Sequence, residues 1–192
     1  MTIDDRKRAQ RQDVLAALGA LSPAERGERS RAIATRLVAH PAFAAAGVVA
    51  LYASLGTEVD TGPVAMAAAG AGKLLAWPRM SAAERRLAFA ACAPAALVPG
   101  PMGTLEPPPA APRVTLDVID LALVPGVAFD GALRRLGRGG GHYDATLAAL
   151  PARALRFGLA FDCQVVDEVP AEAHDLRVDL VVTETRLIGP VG

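Results

Sequence analysis

Residues 120–150 read DLALVPGVAFDGALRRLGRGGGHYDATLAAL, which places an apolar segment, a loop rich in glycine and arginine, and a helix-compatible segment in succession. Residues 120–124 are predicted to form a buried strand that Pro125 and Gly126 end. Residues 142–150 are predicted to form a helix. A strand, a glycine-rich loop and a helix in this order are typical of α/β proteins.

Helices and strands are predicted to alternate along the rest of the chain. Ser22-Pro23-Ala24-Glu25 has the spacing of a capping box with proline at the first helical position, so a helix is expected from there to about Ala39. Further helices are predicted at 4–18 and 63–69, further strands at 47–54, 73–77, 87–92, 155–161 and 178–183, and an irregular proline-rich stretch at 94–112. The pattern predicts an α/β fold with three layers, a largely parallel central sheet and helices on both faces, in a single domain spanning residues 1–192.

The composition is that of a neutral protein. The 192 residues carry 20 Lys and Arg against 20 Asp and Glu, for a formal net charge of +0, so no basic excess points to nucleic acid or an anionic membrane. The N-terminal segment is charged and lacks the apolar core of a secretory signal, and prolines and glycines interrupt the uncharged stretch 87–105. Two cysteines and three scattered histidines suggest neither a disulfide framework nor a zinc site. We therefore expect a soluble cytoplasmic protein with no nucleic-acid or membrane partner. We also expect a monomer that acts on small molecules.

The loop between the predicted strand at 120–124 and the predicted helix at 142–150 has the chemistry of an anion site. Glycines let backbone N–H groups approach an anion closely, and the start of a helix adds partial positive charge. Arg134, Arg135 and Arg138 add planar donors that suit phosphate or carboxylate. The loop matches neither the Walker A pattern nor G-x-G-x-x-G. It is therefore either a phosphate cradle of another kind or a surface turn with solvated arginines.

Residues 134–144, RRLGRGGGHYD, resemble the signature of 5-formyltetrahydrofolate cyclo-ligases, in which Arg-Leu-Gly-x-Gly-x-Gly-Tyr-Tyr-Asp follows a Pro-Gly-x-x-Phe-Asp segment. The resemblance covers nearly the whole chain. Weaker matches follow in the family's order: Lys7 and Arg11 in Lys-x-x-x-Arg, YASLGTEVDT at 52–61, GTLEP at 103–107, and PAEAHDLRVDLVVTE at 170–184. The sequence departs from the family at His142, where a tyrosine is usual, and at Arg134, where glycine or a small polar residue is common.

The resemblance implies an ATP-dependent enzyme. The family converts 5-formyltetrahydrofolate and ATP to 5,10-methenyltetrahydrofolate, ADP and phosphate, by phosphorylation of the formyl oxygen and ring closure by N10. Two alternatives remain at this point. One is a noncatalytic protein that keeps a nucleotide or folate pocket on the same scaffold. The other is an unrelated phosphotransferase or CoA-handling enzyme on a similar α/β fold.

The resemblance also implies a set of site residues. Lys7 and Arg138 would be catalytic, and Mg²⁺ would be held by Asp144 and Asp175, with ATP as co-substrate. The residues implied for ATP binding are Lys7, Arg11, Arg135, Leu136, Gly137, Arg138, Gly139, Gly140, Gly141, His142 and Tyr143. Those implied for substrate binding are Ala53, Glu58, Arg138, Gly139, Gly140, Gly141 and His142.

Simpler interpretations stand beside these roles. Lys7 and Arg11 are also compatible with a solvated helix face, and Asp144 with an acid that complements the dipole at a helix start. Glu58 and Asp175 are compatible with solvated surface acids. Spacing alone does not decide between the two interpretations.

Overall fold

A sheet of eight strands forms the centre of the protein, whose computed structural model describes residues 2–80, 86–100, 103–172 and 175–190. Within these residues the helices are α1 (Ile3–Ala20), α2 (Pro23–Val38), α3 (Pro41–Ala45), α4 (Gly62–Gly70) and α5 (His142–Leu147). The strands are β1 (Val48–Ala50), β2 (Leu74–Arg79), β3 (Ala88–Ala91), β4 (Val98–Pro99), β5 (Leu105–Glu106), β6 (Arg113–Val114), β7 (Leu121–Val124), β8 (Ala128–Asp130), β9 (Arg135–Leu136), β10 (Leu155–Leu159), β11 (Val165–Val166), β12 (Leu180–Val182) and β13 (Leu187–Ile188).

The central sheet is parallel in its middle and antiparallel at its edges. Its strand order is β13-β12-β10-β7-β1-β2-β3-β6. The consecutive strands β12, β10, β7, β1 and β2 pair in parallel, whereas β13 at one edge and β3 with β6 at the other pair antiparallel. Parallel neighbours need crossover connections, which the helices and loops between these strands supply. The predicted α/β fold with a largely parallel central sheet is confirmed.

The two faces of the sheet are covered unequally. Side chains alternate along each strand, so that Val49 and Leu51 join one hydrophobic cluster while Ala50 joins the other. The first cluster takes buried residues from helices α1–α4. The second combines strand residues, among them Phe89 and several alanines, with Leu147 of α5 and with residues of connecting segments. Helices lie on both faces as predicted, but four of the five described helices pack on the same one.

The first two helices begin at capping boxes. Thr2 accepts a hydrogen bond from the Asp5 N–H, and the Asp5 carboxylate accepts one from the Thr2 N–H, each at 3.1 Å. Ser22 and Glu25 make the same reciprocal pair at the start of α2, as the sequence predicts. None of the described helices combines the length and apolar character that crossing a membrane requires.

The stretch between β7 and α5 is more regular than predicted. It contains β8 and β9, which form a three-stranded sheet with β11 in the order β11-β8-β9. Fully buried Asp130 fixes the turn between them, since its carboxylate accepts hydrogen bonds from the Ala132, Arg134 and Val169 N–H groups and from Arg134 Nε. Strands β4 and β5 likewise interrupt the proline-rich stretch at 94–112, and β6 follows directly after it. Both were missed because two- and three-residue strands leave no periodic signal.

The ring of Phe129 packs against two glycines. A Cβ at Gly158 in β10 would lie 2.5 Å from Phe129 Cε1, and one at Gly126 would lie 2.5 Å from Phe129 Cζ. Phe129 is fully buried, at 0% exposure, so its ring has little room to move. These contacts attach the segment after β7 to the central sheet.

We expect Gly158→Ala to lower the free energy of unfolding by about 1–3 kcal/mol, because the added methyl group overpacks the Phe129 ring. Thermal and urea denaturation measure the change. Gly27→Ala is the control, since a Cβ there meets Arg31 at an ordinary 3.6 Å within α2. That variant should be neutral or stabilised by up to about 1 kcal/mol. A Gly158→Ala protein as stable as the parent would contradict the close contact.

Candidate active site

A cavity of about 350 Å³ opens at the carboxyl ends of the central parallel strands. Tyr52 and Ala53 line it just after β1, Pro78 at the end of β2, and Pro125 and Gly126 just after β7. The chain passes from β1 to β2 on one side and later places β7 on the other side of β1, so the strand order reverses here. Open α/β sheets bind ligands at such a reversal.

The glycine-rich loop forms one wall of this cavity. It connects β9 to α5, and residues 137–141 all line the cavity. Gly139 and Gly141 have φ angles of 102° and 68°, which side chains other than glycine rarely adopt. Arg11 of α1 donates from Nε to the Gly137 carbonyl at 2.8 Å. The first helix therefore supports the loop from behind.

Arg135 lies buried beneath the loop. Its side chain is 3% exposed, and Nη2 contacts Asp144 Oδ1 at 2.5 Å. Nη1 donates to the Pro125 carbonyl at 3.2 Å, and the guanidinium carbon lies 5.9 Å from the centre of the Tyr143 ring. Nε is buried and has no hydrogen-bond partner among the described residues. The side chain ties the end of β7 to the first turn of α5.

Glu58 and Arg138 form an ion pair at the cavity. Arg138 Nε lies 3.0 Å from Glu58 Oε1, and Glu58 Oε2 accepts the Leu55 N–H at 2.9 Å. The arginine side chain is 54% exposed, whereas the glutamate side chain is 15% exposed. The pair brings a cation from the loop and an acid from the segment after β1 to one place, 80 residues apart in sequence.

Lys7 sits between two acids. Its Nζ lies 2.7 Å from Asp175 Oδ2 and 2.9 Å from Glu172 Oε2. Burial lowers the pKa of Lys7, but hydrogen bonds to Asp175 and Glu172 outweigh it, so that the pKa lies above its ordinary value. Lys7 therefore stays protonated at neutral pH. Helix α1 also carries Arg11, one turn further on, so both cations are on the side that meets the loop.

Two tyrosines on the cavity wall keep their protons. Burial, followed by the nearby Glu58 charge, raises the pKa of Tyr52 and of Tyr143 well above the ordinary tyrosine value. The Tyr52 hydroxyl donates to the Val59 carbonyl at 3.1 Å. Tyr52 thus fixes the backbone just after Glu58, and both rings give the cavity apolar surface.

Comparison with known proteins places this site in a known family. A sequence model of the 5-formyltetrahydrofolate cyclo-ligase family matches residues 3–184. The chain belongs to this family. It is accordingly an enzyme, a ligase.

Individual relatives extend the match. A 5-formyltetrahydrofolate cyclo-ligase of Mycolicibacterium smegmatis is 42% identical over 94 residues, which cover 48% of each chain. The Escherichia coli K12 5-formyltetrahydrofolate cyclo-ligase is 33% identical over 172 residues, covering 88% of this chain and 94% of that one. The NMR structure of Aquifex aeolicus 5,10-methenyltetrahydrofolate synthetase superposes with a TM-score of 0.84 at 34% identity, covering 94% of this chain and 91% of that one.

Most site residues predicted from the cyclo-ligase resemblance meet at the cavity. The predicted residues that line it are Ala53, Glu58, Arg135, Gly137, Arg138, Gly139, Gly140, Gly141, His142, Tyr143 and Asp144. Leu136 is 2% exposed and belongs to the hydrophobic cluster on the helical face. Lys7 and Asp175 form their own ion pair and do not line the cavity, and Arg11 contacts the loop at Gly137. His174, which directly precedes Asp175, lies outside the described residues.

Sequence reasoning missed part of the wall. Tyr52, Met80, Thr104 and Glu106 line the cavity but were given no role. The sequence could have pointed to Glu106, since it is the acid in the GTLEP segment that matches the family. Among the described residues, no group of three or more His, Cys, Asp or Glu side chains has the arrangement of a metal site.

Proposed function

We propose that the protein converts 5-formyltetrahydrofolate and ATP to 5,10-methenyltetrahydrofolate, ADP and phosphate. The observation that carries the proposal is the cavity in which Arg138 of the glycine-rich loop meets Glu58 at the reversal of strand order. Membership of the cyclo-ligase family supports it. We also propose that the chain acts as one domain, as a monomer in the cytoplasm, on small molecules alone.

The chemistry requires activation of a poor leaving group. A formamide oxygen does not leave readily, so the γ-phosphoryl group of ATP is transferred to it and an iminophosphate forms. N10 then attacks the formyl carbon, the ring closes, N10 loses its proton and phosphate departs. Such a reaction depends on positioning and on neutralising charge spread over the phosphate oxygens.

The chain offers groups for both tasks. Backbone N–H groups of residues 137–141 would cradle phosphates beside the start of α5, and Arg138 would neutralise charge on the transferring group. Glu58 would accept hydrogen bonds from the pterin ring, and Ala53 would lie against it. Lys7 and Arg11 would approach ATP phosphates from α1. ATP phosphate would compete there with Glu172 and Asp175, which already pair with Lys7.

Of the two residues proposed to bind Mg²⁺, Asp144 is better placed for the ion than Asp175. Asp144 lines the cavity, and its side chain is 35% exposed beside Arg135. Mg²⁺ commonly binds through one or two carboxylates together with substrate phosphates, so Asp144 suits it. Asp175 Oδ2 accepts hydrogen bonds from Lys7 Nζ and from the Glu172 N–H. Asp175 therefore suits Mg²⁺ only as a second ligand at the edge of the site. When bound, Mg²⁺ supplies charge neutralisation across phosphate oxygens.

We expect ATP consumption by the purified protein to depend strictly on 5-formyltetrahydrofolate, because phosphoryl transfer to the formyl oxygen comes before ring closure. ADP release and the absorbance of methenyltetrahydrofolate, followed together, should rise in equal amounts. Omitting the folate, ATP or Mg²⁺ in turn provides the controls. Equal ATP hydrolysis with and without the folate would contradict the proposed reaction, and folate binding without turnover would favour a noncatalytic protein.

A further inference from the structure

Glu106 is a buried acid in the cavity that the proposed reaction does not yet use. It ends β5, is 7% exposed and lines the cavity. Its Oε1 accepts the Met80 N–H at 3.2 Å and the Thr104 hydroxyl at 3.3 Å. Within the described parts of the chain, no group donates a hydrogen bond to Oε2, although this oxygen belongs to a side chain on the cavity wall.

The charge of Glu106 is not balanced by a cation. Among the described residues, no Lys, Arg or His side chain forms an ion pair with it, whereas Glu58 is paired with Arg138. Burying a carboxylate without a partner costs several kcal/mol, and glutamate is almost never buried unless it is paired. An acid on a cavity wall that is held by neutral donors at one oxygen, and has no donor from the described residues at the other, is suited to a donor on a ligand.

The backbone around Glu106 is shaped to hold the side chain in place. A Cβ at Gly100 would lie 2.7 Å from both Cγ and Cδ of Glu106. Gly100 pairs with the neighbouring strand through its N–H, which donates to the Thr104 carbonyl at 2.7 Å. Arg79 Nη2 donates hydrogen bonds to the Pro107 and Pro108 carbonyls and so fixes the backbone just after Glu106. The glutamate is thus confined from several sides on the cavity wall.

We propose that Glu106 is a second substrate-binding carboxylate, whose Oε2 accepts a hydrogen bond from the amino group on C2 of the substrate's pyrimidine ring. The inference rests on the proposed function, which brings a 2-amino-substituted ring into this cavity. Glu58 has both oxygens engaged, by Arg138 and by the Leu55 N–H, so it has less capacity for a new donor. A hydrogen bond to a charged acceptor changes affinity by about 10- to 100-fold.

The test compares two ligands without ATP, 5-formyltetrahydrofolate and its analogue with methyl in place of the 2-amino group. Isothermal titration calorimetry gives both dissociation constants for the parent, Glu106→Gln, Glu58→Gln and Glu184→Gln. Glu184 is the matched control, because it is a largely buried acid that accepts the Asp162 N–H and does not line the cavity. We expect the parent to bind the analogue about 10- to 100-fold more weakly, and Glu106→Gln to bind both alike.

Each outcome is decisive. Discrimination that persists in Glu106→Gln, or that is lost in Glu58→Gln instead, overturns the assignment. Should Glu106→Gln fail to fold, Gly100→Ala displaces the same side chain, and unchanged discrimination in that variant overturns the inference as well. A parent that binds neither ligand would overturn the proposed function together with the inference. A parent that converts 5-formyltetrahydrofolate but binds both ligands alike overturns the inference alone.

Discussion

Replacing Arg138 by alanine is expected to lower turnover by about 10²–10³-fold, because a charge-stabilising donor aimed at a transferring phosphoryl group is removed. Stability should change by about 0.5 kcal/mol or less, since the arginine side chain is 54% exposed and solvent screens its side of the pair with Glu58. Initial rates of methenyltetrahydrofolate formation at saturating ATP and folate measure the effect. A melting curve on the same sample checks the fold.

Arg153→Ala is the matched control for Arg138→Ala. The Arg153 side chain is 55% exposed and is also paired with a carboxylate, Asp120, at 2.6 Å, but it does not line the cavity. Its activity should equal that of the parent. A loss of less than about threefold in Arg138→Ala would indicate that the loop is a solvated turn rather than a phosphate cradle.

Asp144→Asn is expected to lower activity by about 10²-fold at a fixed Mg²⁺ concentration and to require more Mg²⁺ for half-maximal rate. The structure adds a second effect that the sequence does not predict. Because Arg135 is 3% exposed and contacts Asp144, the variant leaves a buried guanidinium without its charged partner. Since Asp144 itself is 35% exposed, we expect destabilisation of about 1–2 kcal/mol, less than for a fully buried pair.

Two readouts separate these effects of Asp144. Rates are measured against Mg²⁺ concentration at a temperature where both proteins are folded, and stability is measured by urea denaturation. A variant with a lower urea midpoint but the parent's Mg²⁺ dependence would show that Asp144 only holds Arg135. In that case the acid is a structural partner of the loop, and the proposed metal role is wrong.

The chemical core of the site could be predicted from the sequence because its residues are adjacent in the chain. Residues 134–144 carry the glycines, the arginines and Asp144 in one string, so their proximity follows from covalent connection. The alternation of apolar strands with capped helices similarly predicted the central sheet. Glycine spacing and capping boxes are local signals, and local signals survive in a single sequence.

The remainder depends on contacts between distant segments. Glu106 reaches the cavity only because β5 lies beside β2, and its burial has no local signal within a stretch predicted to be irregular. Lys7 pairs with Asp175 across 168 positions, which no spacing rule predicts. The crowding of four helices on one face also arises from tertiary packing. Such pairings are selected by the whole fold rather than by neighbouring residues.

The Phe129 ring, wedged between Gly126 and Gly158, restricts the order in which the three positions can change during evolution. A Cβ at either glycine would lie 2.5 Å from an atom of the ring, so either substitution destabilises the protein when it arises first. A smaller residue at 129 would make room but would leave a cavity if it arose alone. The favourable combinations are therefore reached only through unfavourable single steps. The Phe129 ring therefore couples Gly126 on the cavity wall to Gly158 in the central sheet, 32 residues away. A substitution taken from a relative at one of these glycines should destabilise the protein unless the matching change at residue 129 is made with it.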